Sequence, residues 1–149
     1  MRLFTIIAAA MLALGPLATA SAASISKSEI SKILSDQGLN VRDLNSTTLI
    51  VDYQGYNILV AINGADADVS YLTYIPGISS SEIGYQFLNK FNNEVKFGRA
   101  YIDRDGDIAI QMDRNSSGGV SAENIESDFE VFLLLIGKFL SDLESQSVA

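Results

Sequence analysis

The sequence predicts a two-layer α+β domain with an antiparallel five-stranded sheet and three helices, in the order α-β-β-β-α-β-β-α. Two observations indicate this fold. Three segments begin with a serine between apolar residues, at the spacing typical of a helix N-terminus. Two pairs of β-like runs are joined by dipeptides that favour tight turns. Helices near the ends and the middle of an antiparallel sheet give a domain with helices on one layer and strands on the other.

The three helix starts share one pattern. Ser26, Ser79 and Ser121 each follow an apolar residue, and a second apolar residue comes five positions after the first. The serine can accept hydrogen bonds from free N–H groups of the first turn, and the apolar pair can close as a hydrophobic staple. Glu29 and Glu82 complete capping boxes in the first two helices. We expect these helices to end at Gly38, near Asn92-Asn93 and, for a third helix starting at about Ala122, at Leu143.

Five β-like runs make up the predicted sheet. Gln54-Gly55 separates the first two, and Asp105-Gly106 separates the last two, as in two-residue hairpin turns. Apolar and polar residues alternate in several runs, which suits a sheet with one better-buried face. The predicted strands are residues 48–53, 56–63, 68–75, 99–104 and 108–113.

The first 22 residues have the three parts of a secretory signal peptide. Met1-Arg2 is a positive n-region, residues 3–17 are apolar, and Ala20-Ser21-Ala22 places small residues before a cleavage site. A retained anchor helix is the alternative, but the apolar run is shorter than the roughly 20 residues that span a bilayer. We therefore expect cleavage after Ala22, one domain at residues 23–149, no stable membrane anchor, and a periplasmic or secreted protein.

The composition excludes several classes of function. The formal charge of −8 and the lack of a basic stripe argue against binding to nucleic acid. The sequence has no histidine and no cysteine, which removes the usual zinc sites and the Ser-His-Asp and Cys-His catalytic arrangements. No phosphate-binding or dinucleotide-binding glycine motif is present. We predict no catalytic residues, no cofactor and no enzymatic activity.

An acidic turn could bind a cation. Asp103, Asp105 and Asp107 alternate around a glycine. In an EF-hand loop that begins at Asp103, the glycine and glutamate positions would be Ile108 and Arg114, so the calcium motif fails. A hairpin turn explains the same residues, because aspartate and glycine both favour turns. The three aspartates are kept as weak metal candidates, for an alternative function as a calcium-binding module or a carboxylate-based hydrolase.

Four tyrosines on neighbouring strands could form a binding face: Tyr53, Tyr56, Tyr71 and Tyr74. Tyrosine suits an interface because its ring is apolar and its hydroxyl remains hydrated. The alternative is the ordinary preference of aromatic residues for strands.

The third helix carries more apolar surface than one face can bury. Residues 131–136 form an unbroken apolar run that covers every side of a helix, which then needs burial on more than one side. We predict that a second copy covers the extra side, through Val131, Leu134, Leu135 and Phe139. The alternative is that neighbouring helices of the same chain cover it.

Four short motifs resemble one protein family. They are residues 87–92 (FLNKFN), 96–103 (KFGRAYID), 105–108 (DGDI) and 118–121 (GGVS). In this arrangement an asparagine near a helix end precedes a hairpin with a D-x-D-G turn, and Gly-Gly-Val opens a long helix. The pattern resembles the YbjN-like domain over about residues 26–143. The resemblance implies a fold similar to type III secretion chaperones, which act as homodimers that hold extended segments of client proteins.

These inferences combine into one expected function. We expect an exported, non-enzymatic protein-binding or chaperone-like module that forms a homodimer through its last helix and binds a protein or peptide.

Overall fold

The computed structural model describes residues 24–147, so the predicted signal peptide lies outside the described residues. Three helices and six strands follow one another in a single domain. They are α1 (Lys27–Asp36), β1 (Asn40–Asp43), β2 (Thr48–Tyr53), β3 (Tyr56–Asn63), β4 (Asp68–Tyr74), α2 (Ser80–Glu94), β5 (Gly98–Ile102), β6 (Ile108–Arg114) and α3 (Ala122–Ser147). None of the helices between residues 24 and 147 has the length and apolar character needed to span a bilayer.

The strands form one antiparallel sheet in the order β1-β2-β3-β4-β6-β5. The α+β prediction is confirmed, but the count of five strands is wrong. The missed strand, β1, is four residues long and mostly exposed. It has no apolar alternation to reveal it, and it forms because its backbone pairs with β2.

Both predicted hairpins are present. Gln54 and Gly55 both have positive φ, at 49° and 88°, which is the geometry of the type I′ turn that fits the twist of paired strands. In the second hairpin, Asp103 N–H donates to the Asp107 carbonyl at 2.9 Å, and Gly106 has a φ of 90°.

All three helices pack on one face of the sheet. The core is a single cluster that joins helix residues such as Ile30, Phe91 and Phe132 to alternate residues of the strands, such as Val60 and Ile110. On the other face of the sheet, neighbouring side chains of the sheet bury Ile50 and Ala109, which do not belong to this cluster. The domain therefore has a helical layer and an open sheet face.

The capping boxes of α1 and α2 are present as predicted. Ser26 Oγ accepts from the Glu29 N–H at 3.2 Å, and Glu29 Oε2 accepts from the Ser26 N–H at 2.8 Å. Glu82 Oε2 accepts from the Ser79 N–H at 2.6 Å. Gly84 interrupts α2 with a φ of 61° and a ψ of 167°, a conformation that glycine adopts without a Cβ clash.

The capping carboxylates make stability depend on pH. Hydrogen bonds from the Ser26 side chain and backbone lower the pKa of Glu29 from its usual 4.5, and hydrogen bonds from the Ser79 backbone and side chain lower the pKa of Glu82. A carboxyl group with a lowered folded-state pKa stabilises the fold above its unfolded-state pKa and loses that contribution as the pH falls through the folded value.

We therefore expect the double variant Glu29→Gln/Glu82→Gln to unfold at a lower temperature than the wild type at pH 7. The difference should shrink as the pH falls below 4.5 and then through the lowered folded-state pKa values of the two carboxylates, where they become neutral. Calorimetry from pH 7 to pH 3 measures this. Glu130→Gln is the matched control, because Glu130 lies in the middle of α3, away from a helix start. This change should have little effect on the unfolding temperature. A pH-independent difference would contradict the electrostatic origin of the effect.

Candidate protein-binding surfaces

Two large apolar side chains lie exposed beside each other on the helical side of β5. Phe97, in the connection between α2 and β5, is 77% exposed, and Leu134 on α3 is 72% exposed. Together with the half-buried Val131 they line a shallow depression of about 280 Å³ whose other lining residues include Lys96 and Lys138. We call Phe97, Val131 and Leu134 the Phe97–Leu134 patch. Adjacent exposed apolar side chains of this size are typical of a contact surface.

The backbone at Phe97 is held in an unfavourable conformation. Its φ of 69° lies in the left-handed region, which bulky residues rarely adopt. The next residue, Gly98, lies so close to α3 that a Cβ atom there would come within 2.4 Å of Leu135 Cδ1. Close packing of α3 on β5 thus sets the chain path at Phe97 and leaves its ring exposed. Phe97 was not among the predicted contact residues, although an apolar residue isolated between Lys96 and Gly98 is a usable signal for an exposed contact residue.

The residues predicted as a dimer interface fall into two groups. Leu134 and Val131 belong to the Phe97–Leu134 patch, whereas Leu135 and Phe139 are buried within the chain. The ring of Phe139 packs nearly perpendicular to those of Phe87 and Phe91, with centroids 5.3 and 5.2 Å away. For Leu135 and Phe139, the helices and strands of the same chain cover the extra apolar side, as the alternative reading expected.

Ion pairs border the patch. Lys138 Nζ donates to Glu94 at 3.0 Å and to Asp142 at 2.8 Å. The hydrogen bond to Asp142, followed by the one to Glu94, raises the pKa of Lys138, and the bond from Lys138 lowers the pKa of Glu94. The surroundings of the patch therefore carry charges of both signs, whereas the whole chain is strongly acidic.

The four predicted tyrosines do not share a surface. Tyr71 is fully buried, and its ring lies 5.8 Å from that of Phe132. Tyr53 and Tyr56 pack against the same core, whereas Tyr74 projects from the open sheet face and is 42% exposed. Within β4, the two-residue period of a strand sends Tyr71 and Tyr74, which are three positions apart, to opposite faces.

The acidic hairpin is organised as a turn. Asp103 Oδ1 accepts from the N–H groups of Asp105 and Asp107, each at 2.9 Å. Between residues 24 and 147 no group of three or more aspartate, glutamate, histidine or cysteine side chains is arranged to hold a metal ion. The carboxylates lie near Tyr74, whose pKa is raised by burial first and then by Asp103. The geometry assigns the aspartates to the hairpin and does not favour the calcium or hydrolase alternative.

The open sheet face is largely covered by its own polar side chains. Leu59 and Leu72 pair across neighbouring strands of this face, and both are partly buried. Two polar networks border them. One joins Asn40, Arg42, Asp52 and Asn57, and the other joins Asn63, Ser70, Arg99, Gln111 and Asp113. The apolar side chains Leu59 and Leu72 of this face are therefore only partly exposed.

A partly buried ion pair lies on the other side of Phe97. Arg114 forms a two-bond contact with Asp128, in which Nη2 donates to Oδ1 at 2.7 Å and Nε donates to Oδ2. Both residues line a second depression, of about 440 Å³, together with Phe97 and Val131. The hydrogen bond to Asp128 raises the pKa of Arg114. The pair connects β6 to α3.

Comparisons with known proteins agree with this fold. The YbjN family model, described as "Putative bacterial sensory transduction regulator", matches residues 26–145. Among curated proteins none shows significant sequence similarity to the chain.

Two solved structures have a similar fold. The crystal structure of YbjN from E. coli superposes with a TM-score of 0.64 and 14% identity, over 85% of this chain and 96% of that one. The type III secretion chaperone SycH of Yersinia pestis, in complex with a stable fragment of YscM2, gives a TM-score of 0.55 and 15% identity, over 76% of this chain and 96% of SycH. At these identities the likeness concerns the fold.

Proposed function

The chain belongs to the YbjN family, and from that premise we propose that it is an exported, non-enzymatic protein-binding module that acts in a chaperone-like way. The Phe97–Leu134 patch is the observation that carries the proposal, because it is an exposed apolar surface on the fold of a protein-binding chaperone. SycH was crystallised with a protein fragment, which supports a protein partner. Export rests on the signal-peptide pattern of residues 1–22.

We further propose that the protein is a homodimer and that the Phe97–Leu134 patch is its interface. A two-fold interface is formed by the same surface of both copies, so the surface must be self-complementary. Apolar residues at the centre and charges of both signs at the border meet this requirement. The border residues Glu94, Lys96 and Lys138 let two acidic chains approach without facing only like charges.

The test compares the mass and the client binding of four proteins spanning residues 23–149. The wild type should be a dimer by light scattering. Leu134→Glu and Phe97→Glu should be monomers, because a dimer of either variant would bury a carboxylate against the opposing patch. Tyr85→Glu is the matched control, since Tyr85 is also 77% exposed but lies on α2 outside the patch. It should remain a dimer.

The same four proteins are then incubated with a reduced, carboxymethylated α-lactalbumin, a client that cannot fold. The wild type and Tyr85→Glu should bind it and keep it soluble. A wild-type protein that is monomeric at all concentrations would contradict the dimer. A wild-type protein that binds no unfolded client would contradict the chaperone-like function.

A further inference from the structure

The two edges of the sheet differ in whether a side chain of the same domain forms hydrogen bonds with the outward backbone groups. At one edge, Asn92 of α2 pairs with the backbone of Ala100 in the middle of β5. Its Nδ2 donates to the Ala100 carbonyl at 3.0 Å, and its Oδ1 accepts from the Ala100 N–H at 2.8 Å. One amide side chain thus makes both hydrogen bonds that an additional strand would make at Ala100. The β5 edge is closed to pairing there, as natural sheets commonly require.

The other edge, β1, has no such cover. Leu44 N–H donates to the Thr48 carbonyl of β2 at 3.0 Å. Since hydrogen bonding alternates along an antiparallel strand, Arg42 also faces β2, and the N–H and C=O groups of Val41 and Asp43 point away from the sheet. Within residues 24–147 no side chain or backbone group makes a hydrogen bond to these outward groups. They are available to a strand from another molecule.

The side chains along β1 define which strand would fit. Val41 and Asp43 lie on the helical side of the sheet, where Val41 is partly buried against the core and Asp43 is exposed beside Lys27. Arg42 lies on the open face, with Asp52 at 3.5 Å. Directly opposed side chains of neighbouring strands favour apolar pairs and opposite charges. Leu44, which follows β1, is 50% exposed and adds apolar surface at the same edge.

We propose that the β1 edge binds an extended segment of a partner protein as a seventh strand. The segment carries an aliphatic side chain opposite Val41, a basic one opposite Asp43 and an acidic one opposite Arg42. Backbone hydrogen bonds to Val41 and Asp43 supply affinity, and the three opposed pairs supply selectivity. This inference rests on the proposed function and identifies the segment of the client that is bound and the place where it binds.

A designed peptide tests the inference. For an antiparallel segment, the complement of residues 43, 42 and 41 is Lys-Glu-Val, so the probe is acetyl-Thr-Thr-Lys-Glu-Val-Thr-Thr-amide. It is titrated into the ¹⁵N-labelled monomeric variant Leu134→Glu, which separates binding at β1 from dimerisation. We expect chemical-shift changes at residues 39–45, and slower amide exchange at Val41 and Asp43 but not at Arg42, whose N–H already faces β2.

Two control peptides test the details of the pairing. Exchanging the lysine and the glutamate places like charges opposite Asp43 and Arg42 and should weaken binding roughly tenfold. Methylating the backbone nitrogens of the lysine and the valine, which face β1, should abolish binding, whereas methylating the glutamate nitrogen should not. Shifts at the β5 edge instead of β1, or no shift with up to about 5 mM peptide, a concentration that reveals millimolar affinity, would overturn the inference.

A variant of the edge separates this inference from the proposed function. Val41→Pro removes one outward N–H, and proline is tolerated at an edge strand when that N–H faces solvent. It should lose peptide binding and the binding of the unfolded client together. If Val41→Pro holds the unfolded client as well as the wild type does, the edge inference fails and the proposed function stands. If the wild type itself holds no client, the proposed function fails.

Discussion

Replacing Phe139 with alanine is expected to lower the free energy of unfolding by about 4 kcal/mol. Phe139 is fully buried, and its ring makes edge contacts with Phe87 and Phe91 that join α3 to α2. Removing the ring leaves a cavity that close-packed neighbours cannot fill. Total stabilities of small domains are about 5–15 kcal/mol, so the loss should be visible as a large shift of the urea midpoint with an unchanged slope.

The matched control is Leu134→Ala, five residues earlier on the same helix. Leu134 is exposed, so its truncation should change the stability of the monomer by less than about 0.5 kcal/mol. Measurements of both variants in the Phe97→Glu background, which is also expected to be monomeric, remove any contribution from the dimer. If Phe139→Ala changed the oligomeric state and left the monomer stable, Phe139 would belong to the interface that the sequence pattern indicated.

Asp128→Ala should be the second most damaging change, at about 2–3 kcal/mol. Arg114 and Asp128 form a two-bond ion pair with side-chain exposures of 28% and 15%. Without Asp128 a largely desolvated guanidinium loses its partner, and removing one member of a buried pair costs about 3–5 kcal/mol. We expect less than this, because Arg114 keeps partial access to water. Urea unfolding of the single variant in the Leu134→Glu background measures the loss.

Two comparisons isolate the role of the ion pair. Asp36→Ala removes the carboxylate of the exposed pair Lys32–Asp36, and should cost no more than about 0.5 kcal/mol. The double variant Arg114→Met/Asp128→Leu removes both charges and should regain most of the stability lost in Asp128→Ala. A double variant less stable than Asp128→Ala would show that the two side chains act independently.

Tyr71 lies near this ion pair. Its hydroxyl has no hydrogen-bond partner within residues 24–147, and burial, followed by the charge of Asp128, raises its pKa. Burial therefore favours the neutral hydroxyl over the phenolate.

Local signals in the sequence were sufficient for most secondary structure. The three serine-led helix starts and the two turn dipeptides depend on hydrogen bonds within four residues or on the φ that glycine allows. They predicted α1, α2, α3 and the hairpins at Gly55 and Gly106. The C-terminal ends of the helices differ from the prediction by one to four residues, and the two strands that flank Gly55 have the predicted bounds. The strand β1 was not predicted, because it is stabilised by backbone pairing with β2 and not by a pattern of its own residues.

The candidate sites were less predictable. The apolar run of α3 correctly indicated surplus apolar surface, but it could not show that Phe139 and Leu135 face the chain's own core while Leu134 faces solvent. The four tyrosines were predicted to share one face of the sheet. That prediction did not take into account that side chains alternate between the two faces along a strand, which separates Tyr71 from Tyr74. Phe97 could not be identified as a contact residue from the sequence, because its position next to α3 results from tertiary packing.

By itself, the sequence determined the order of the three helices and of five of the six strands, the helix starts and hairpin turns, and the absence of histidine and cysteine side chains. These properties depend on residue types and on short-range spacing. The tertiary structure alone decided which apolar side chains remain exposed, which sheet edge Asn92 closes and which edge stays open. The physical reason is that burial and strand pairing depend on contacts between residues distant in sequence, such as Phe91 with Phe139, which no local pattern records.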